Sequence, residues 1–172
     1  QEVAFEIKIA SAPDLVSGNG FDKVTYMIST NAGERPRELA QVASGGELSR
    51  IMLALKTVLA DKDAIETLIF DEIDTGISGK TAWKVSEKMG ILGKGHQIIC
   101  ITHLPQIASM ADRHFCIEKK VEDNRSVTDI RKLVEEESTA EVARMLGSAS
   151  ITENVMNNAR EMKELARKTK QY

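Results

Sequence analysis

A short apolar run ends in two adjacent acids at Leu68-Ile69-Phe70-Asp71-Glu72. A strand that ends this way delivers two carboxylates at one end of a sheet, where neighbouring side chains diverge. In nucleotide hydrolases the first acid of such a pair holds the shell of a Mg2+ ion. The second polarises the water that attacks a terminal phosphate. Capping of the following helix by either acid is the plain alternative, and the pair taken alone does not choose between them.

Two other stretches add to this chemistry. In "ASGGELSR", residues 43 to 50, Ser44 and Glu47 have the spacing of a capping box. A capping box has no need of Gly45 and Gly46, and glycine is poor in a first helical turn. Two glycines there let a phosphate approach bare N–H groups at a helix N-terminus, with Ser44 adding a hydroxyl donor. In "ICITHLPQ", residues 99 to 106, His103 closes an apolar strand predicted to neighbour that of Asp71, so that both face one γ-phosphate. His96 and His114 lack such a setting and read as surface or structural residues.

Gly79-Lys80-Thr81 imitates the close of a phosphate-binding loop. That loop has the form Gly-x-x-x-x-Gly-Lys-Ser/Thr, so its first glycine belongs at position 74. Position 74 is Asp, which would set a carboxylate against the phosphates, and Gly76 is out of register. Gly79-Lys80-Thr81 therefore reads as a turn and a helix start, and the chain holds no other such loop.

These residues need a scaffold, and the patterning supplies one. Val3, Phe5, Ile7 and Ile9 alternate with polar neighbours, as in a half-buried strand, and "KVTYMIST" gives a second strand. From Gly46 to Ala60 the period changes to helical, with Leu48, Ile51, Met52, Leu55 and Leu59 on one face. "TLIF" and "QIICIT" are continuous apolar strands separated by the helix "KTAWKVSEKMGIL". Strands follow at "HFCIEK" and "SVTDIRKL". Ser138 with Glu141 predicts a capped helix closed by Gly147. Thr152 predicts the cap of a last helix with a stripe of Val155, Ala159, Met162 and Ala166, its basic residues from Arg160 to Lys170 forming a solvated face. Apolar strands separated by helices predict an α/β sheet covered on both faces, with ligands at the carboxyl ends of its strands.

Composition narrows the function classes. The 172 residues suit one domain with a real core, and no apolar run is long enough for a membrane span. The start, "QEVAFEIKIA", lacks the layout of a secretory signal, and its missing methionine suggests a fragment or a processed chain. A net charge of −3 argues against a free-standing DNA-binding module, so any nucleic-acid role comes through a partner, the rest of a larger protein or a local patch. Cys100 and Cys116 have no metal-ligand spacing, and Cys100 reads as a buried free thiol, fitting a reducing cytoplasm.

Order now carries more than any single motif. "SGGE" and a helix, then "LIFDEID", then "ITH" fall within about 60 residues. The series resembles the C-terminal half of an ABC-type ATPase head, and its wording from roughly residue 20 to 160 is similar to the bacterial DNA-repair members of the SMC-like ATPases. The resemblance implies an α/β head lobe, a mainly parallel sheet flanked by helices with an N-terminal strand pair, in one domain. Residues 1–36 would form the strand pair and loop, 37–120 the motif-bearing core and 121–172 the terminal strand and helices.

The resemblance further implies Asp71 as the Walker B acid for Mg2+, Glu72 as the catalytic base and His103 as the switch histidine. Ser44, Gly45, Gly46 and Glu47 match the signature that meets the ATP of an opposite head, and Asp74 to Ser78 occupy the D-loop. Many ABC proteins carry Asp where this chain has Ser78, a departure from the wider pattern. Walker A would lie in the N-terminal half of the same head, beyond a coiled coil. ATP and Mg2+ are the implied cofactors, a second head the implied homodimer partner. The resemblance also implies DNA contact through the full-length protein, in the bacterial cytoplasm at the nucleoid, with no membrane. Another SMC-like or RecF-like repair ATPase, or a non-catalytic interaction module on the same fold, remains the alternative.

Overall fold

The computed structural model describes residues 3–171 apart from 15, 19, 30–32, 43, 60–63, 123–124 and 148–149. Ala43, ahead of the signature serine, lies outside the described residues. So do Thr30 and Ala60, at the ends of a predicted strand and helix. Two compact units emerge, divided after Ser44.

In the first unit, β1 (Ala4–Ser11) runs antiparallel to β2 (Asp22–Ser29), which also pairs β3 (Arg37–Glu38) ahead of the short helix α1 (Leu39–Val42). The register sets Phe5 opposite Ile28, Ile7 opposite Tyr26 and Ile9 opposite Val24. Phe5 and Tyr26 stack with ring centroids 6.0 Å apart. Alternation thus placed the apolar side of β1 correctly, but the strand is exposed along its whole length and not half-buried as expected. Periodicity reads which side is apolar, not what covers it.

The second unit holds α2 (Gly45–Leu59), β4 (Thr67–Phe70), α3 (Gly79–Leu92), β5 (Gln97–Cys100), α4 (Pro105–Ala108), β6 (Phe115–Glu122), β7 (Arg125–Lys132), α5 (Glu135–Met145) and α6 (Glu153–Gln171). β4 and β5 form a parallel pair, Phe70 opposite Cys100, and Ile101 N–H extends the ladder to Phe70 O at 3.1 Å. β6 and β7 make an antiparallel ribbon. The fold is mixed α/β, as expected, but its parallel part has two strands among the described residues. Leu68 and Phe70 face a core with Leu53, Ile73, Val85, Met89, Leu92 and Ile107. Ile69 on the other face is 68% exposed, so the predicted cover on both faces is not provided by this unit.

At the C-terminal end, Ser138 does not open a helix as its spacing with Glu141 suggested. It sits buried inside α5, where its hydroxyl takes a hydrogen bond from Lys163 Nζ at 2.8 Å and lies 3.0 Å from His114 Nδ1. The helix starts one turn earlier, where Glu137 Oε2 accepts the Val134 N–H at 3.0 Å. Gly147, at φ +79°, lies beyond its C-terminus as expected. Thr152 does cap α6, its Oγ1 accepting Val155 N–H at 3.4 Å. Ala159 and Ala166 are buried as the stripe required. Lys163 departs from the predicted solvated face: it is 6% exposed and reaches Glu135 Oε1 at 3.1 Å.

Candidate active site

β4 stops at Phe70 and a tight turn carries the chain to α3. Ile73, fully buried, pins that turn to the core, a burial that stabilises by roughly 1.5–3 kcal/mol. The first turns of α2 hold its backbone from the other side. Ser49 Oγ donates to Asp71 O at 2.9 Å, and Arg50 Nη1 donates to Ile73 O at 3.1 Å and Thr75 O at 2.8 Å. Thr75 N–H closes the loop onto Glu72 O at 3.0 Å. Asp71 and Glu72 are left exposed side by side at the carboxyl end of β4.

Asp71 Oδ1 accepts the Glu72 N–H at 2.9 Å. Glu72 adopts φ +57°, the one positive φ outside glycine among the described residues. That conformation costs about 1–3 kcal/mol and persists only where the surroundings impose it. Here they do, through Ile73, Ser49 and Arg50.

The position of Glu72 also explains Gly45 and Gly46. A Cβ on Gly45 would collide with Glu72 Oε2, and a Cβ on Gly46 would stand 2.8 Å from Glu72 O and 3.0 Å from Thr75 Cβ. Sequence reasoning took these glycines as an approach for phosphate. Within the chain they admit the Asp71–Thr75 turn against α2.

Asp74 points inward. It is 4% exposed, and its Oδ2 accepts Thr102 Oγ1 at 2.6 Å and His103 N–H at 2.9 Å, with His103 Nδ1 3.0 Å away. Burial, the largest single influence, pushes its carboxyl up. The Thr102 and His103 hydrogen bonds and the His103 ring together outweigh it and hold the group below 3.8. Asp74 is therefore a carboxylate that ties the turn after β4 to the end of β5. The His103 side chain is 74% exposed, so with Nδ1 against the carboxylate its Nε2 is offered outward. Nearby, burial and then the charges of Asp74 and Asp71 push the Cys100 thiol up to about 12. An inert, neutral thiol results.

The structure thus brings together Gly45, Gly46 and Glu72 at one contact, and Asp74 and His103 at another. Ser44 is exposed at the end of the first unit, and Glu47 is half-buried in the first turn of α2. Lys80 is exposed on α3. His96 Nδ1 meets Ile65 O at 2.7 Å and His114 is tied to Ser138, the structural roles expected of both. Sequence reasoning missed Ser49, Arg50 and Thr102, whose partners lie 22 to 28 residues away along the chain.

Asp71 suits a hard cation, since Mg2+ in phosphate-transfer sites is held by one or two carboxylates together with substrate phosphates. Among the described residues no group of three or more His, Cys, Asp or Glu could hold a metal by itself. No helix among them is long and apolar enough to cross a membrane.

No family model matches the chain. It is 44% identical over 169 residues to the DNA repair protein RecN of Halalkalibacterium halodurans, covering 96% of this chain and 30% of that protein. The RecN of Bacillus subtilis is 40% identical over 179 residues, 98% of this chain and 31% of its own length. The RecN of Treponema pallidum is 49% identical over 143 residues, 83% of this chain and 25% of its own length. The chain thus spans about 30% of the first two of these relatives. Among solved structures, a chain from work on ATP-driven dimerization and DNA-stimulated activation of SMC ATPases matches with a TM-score of 0.51 at 18% identity, over 85% of this chain and 84% of its own. The chain shares the fold of that solved structure and belongs to the RecN family, of whose members it spans the C-terminal region.

Proposed function

We propose that this chain is the C-terminal lobe of a RecN-like ATPase head, inactive alone, which supplies the hydrolytic side of a composite ATP site. The observation that carries the reading is the paired presentation of Asp71 and Glu72 at the end of β4, with His103 at the end of the adjoining strand and Asp74 bonded to it.

Asp71 would hold Mg2+, which when bound neutralises charge on the phosphates. Glu72 accepts a proton from the attacking water at its carboxylate, and His103 offers Nε2 toward the phosphate being cleaved. Asp74 positions His103. Ser44, Gly45, Gly46 and Glu47, the sequence that leads into and opens α2, meet the ATP of a second head. Walker A belongs to the N-terminal half of the same head. ATP joins two heads and hydrolysis releases them, in a protein of the bacterial cytoplasm and nucleoid that holds DNA during double-strand break repair.

The test is Glu72→Gln in the full-length protein, reading ATP binding and turnover separately. Binding is expected to persist while turnover falls by at least about a hundredfold. Undiminished turnover removes Glu72 from the mechanism.

A further inference from the structure

Among the described residues three donors meet Asp74 Oδ2: Thr102 Oγ1 at 2.6 Å, the His103 N–H at 2.9 Å and His103 Nδ1 at 3.0 Å. Two of these belong to His103 and follow it wherever it moves. Thr102, half-buried, holds the oxygen from outside the histidine. Its hydroxyl proton has a fixed direction. Thr102 Oγ1 accepts the Leu104 N–H at 3.0 Å, and Asp74, an ionised carboxylate, can only accept, so the hydroxyl hydrogen points at Oδ2. A separation of 2.6 Å is that of a strong, charge-assisted bond.

The imidazole is fixed in the same way. Facing a carboxylate, Nδ1 must carry a proton, and in a neutral ring Nε2 is then bare. A free neutral imidazole favours the opposite tautomer, with its proton on Nε2. Asp74 therefore decides both which nitrogen is protonated and which one faces outward. The backbone around the ring is held as well. Pro105 keeps Leu104 extended ahead of α4, and Thr102 takes the Leu104 N–H. On the opposite side, buried Ile73 and the bond from Thr75 N–H to Glu72 O seat the turn that carries Asp74.

We propose that Thr102 is a positioning residue for the hydrolysis. By fixing Asp74 it locks His103 as the Nδ1–H tautomer, with Nε2 the nitrogen that meets the reacting groups. This rests on the reading of His103 as the residue that faces the phosphate being cleaved, and extends it: the ring is set within this lobe, before ATP, the N-terminal half or a second head contributes. Nε2 so held is an acceptor toward water in the neutral ring and a donor toward phosphate in the charged one.

The first test needs no variant at the tie. The chain is labelled with 15N in its three histidines, and the His103 ring is assigned by its loss in His103→Gln. At about pH 9, well above the ordinary imidazole value of about 6.5, its spectrum should show Nδ1 protonated and Nε2 bare. Thr102→Val should bring the Nε2–H form to at least about half of the population, whereas Thr102→Ser, which keeps the hydroxyl, should hold the original tautomer. In the full-length protein Thr102→Val should lower kcat about tenfold with KM for ATP within about twofold, and Thr102→Ser should recover most of the loss. An Nε2–H tautomer in the unaltered chain overturns the proposal outright. So does Thr102→Val that lowers Tm while leaving the tautomer or kcat unchanged, or a kcat loss that Thr102→Ser fails to recover. Undiminished turnover in Glu72→Gln would sink the hydrolytic reading and leave the tautomer measurements standing, and a wrong tautomer would leave the role of Glu72 untouched.

Discussion

Glu72 and Asp74 stand two positions apart and do opposite things. Glu72 is exposed and held in a left-handed conformation, while Asp74 is buried and satisfied by Thr102 and His103. The placing of Asp71 and Glu72 at a strand end could be read from the sequence, because the apolar run TLIF stops directly before them. The inward turn of Asp74 could not, since Thr102 lies 28 residues on and only the β4–β5 register brings it near. Asp74→Ala leaves the half-buried Thr102 hydroxyl and the His103 N–H without their acceptor and is expected to cost about 1–2 kcal/mol by chemical denaturation. The pH dependence has a definite sign. The folded carboxyl titrates below its ordinary 3.8, so its contribution is complete above that value and lost as pH falls through the lower folded value. The stability gap between the chain and Asp74→Asn should therefore be level from about pH 7 to 5 and shrink below 3.8. A gap that widened with acid would contradict an ionised Asp74.

At the scale of elements, α2 and the turn after β4 form one device. The helix was legible, as was the oddity of two glycines in its first turn, but its inward face was not: Leu53 is the buried core residue, whereas Leu48, Met52 and Leu59 of the expected face are exposed. Nor was the fit of the glycines against Glu72, because a close approach between segments leaves no periodic trace. The two positions should respond differently to alanine. At Gly46 the new Cβ meets backbone, which cannot swing away, so Gly46→Ala should lose about 1–3 kcal/mol despite its better helix propensity. At Gly45 it meets the flexible tip of Glu72, so Gly45→Ala should leave Tm nearly unchanged while displacing the carboxylate and lowering turnover of the full-length protein. Equal thermal losses at both sites would break that distinction. The packing of α5 on α6 shows the converse limit. Ser138 and Glu141 had the right spacing for a cap, but Glu137 took that task and the Ser138 hydroxyl went to buried Lys163. Lys163→Ala should cost about 2–4 kcal/mol, since it removes the cation that Ser138 and Glu135 share. A loss below about 0.5 kcal/mol, usual at solvated positions, would restore the surface reading of Lys163.

For the whole molecule, the apolar residues left open on β1 and on the outer face of β4 belong to a chain that spans about 30% of the RecN proteins of H. halodurans and B. subtilis. The sequence lacks a phosphate-binding loop, and Gly79-Lys80-Thr81, its nearest imitation, is a turn and a helix start. On the proposed reading the site is split between this lobe, the N-terminal half of the same head and a second head. The most direct measurement is ATP hydrolysis with Mg2+ by this chain alone and then mixed with the separately made N-terminal portion of its full-length protein. Activity should arise only in the mixture and vanish with Glu72→Gln. Hydrolysis by the chain alone, abolished by Lys80→Ala, would place the chemistry at Gly79-Lys80-Thr81 and contradict a site built on Asp71 and Glu72.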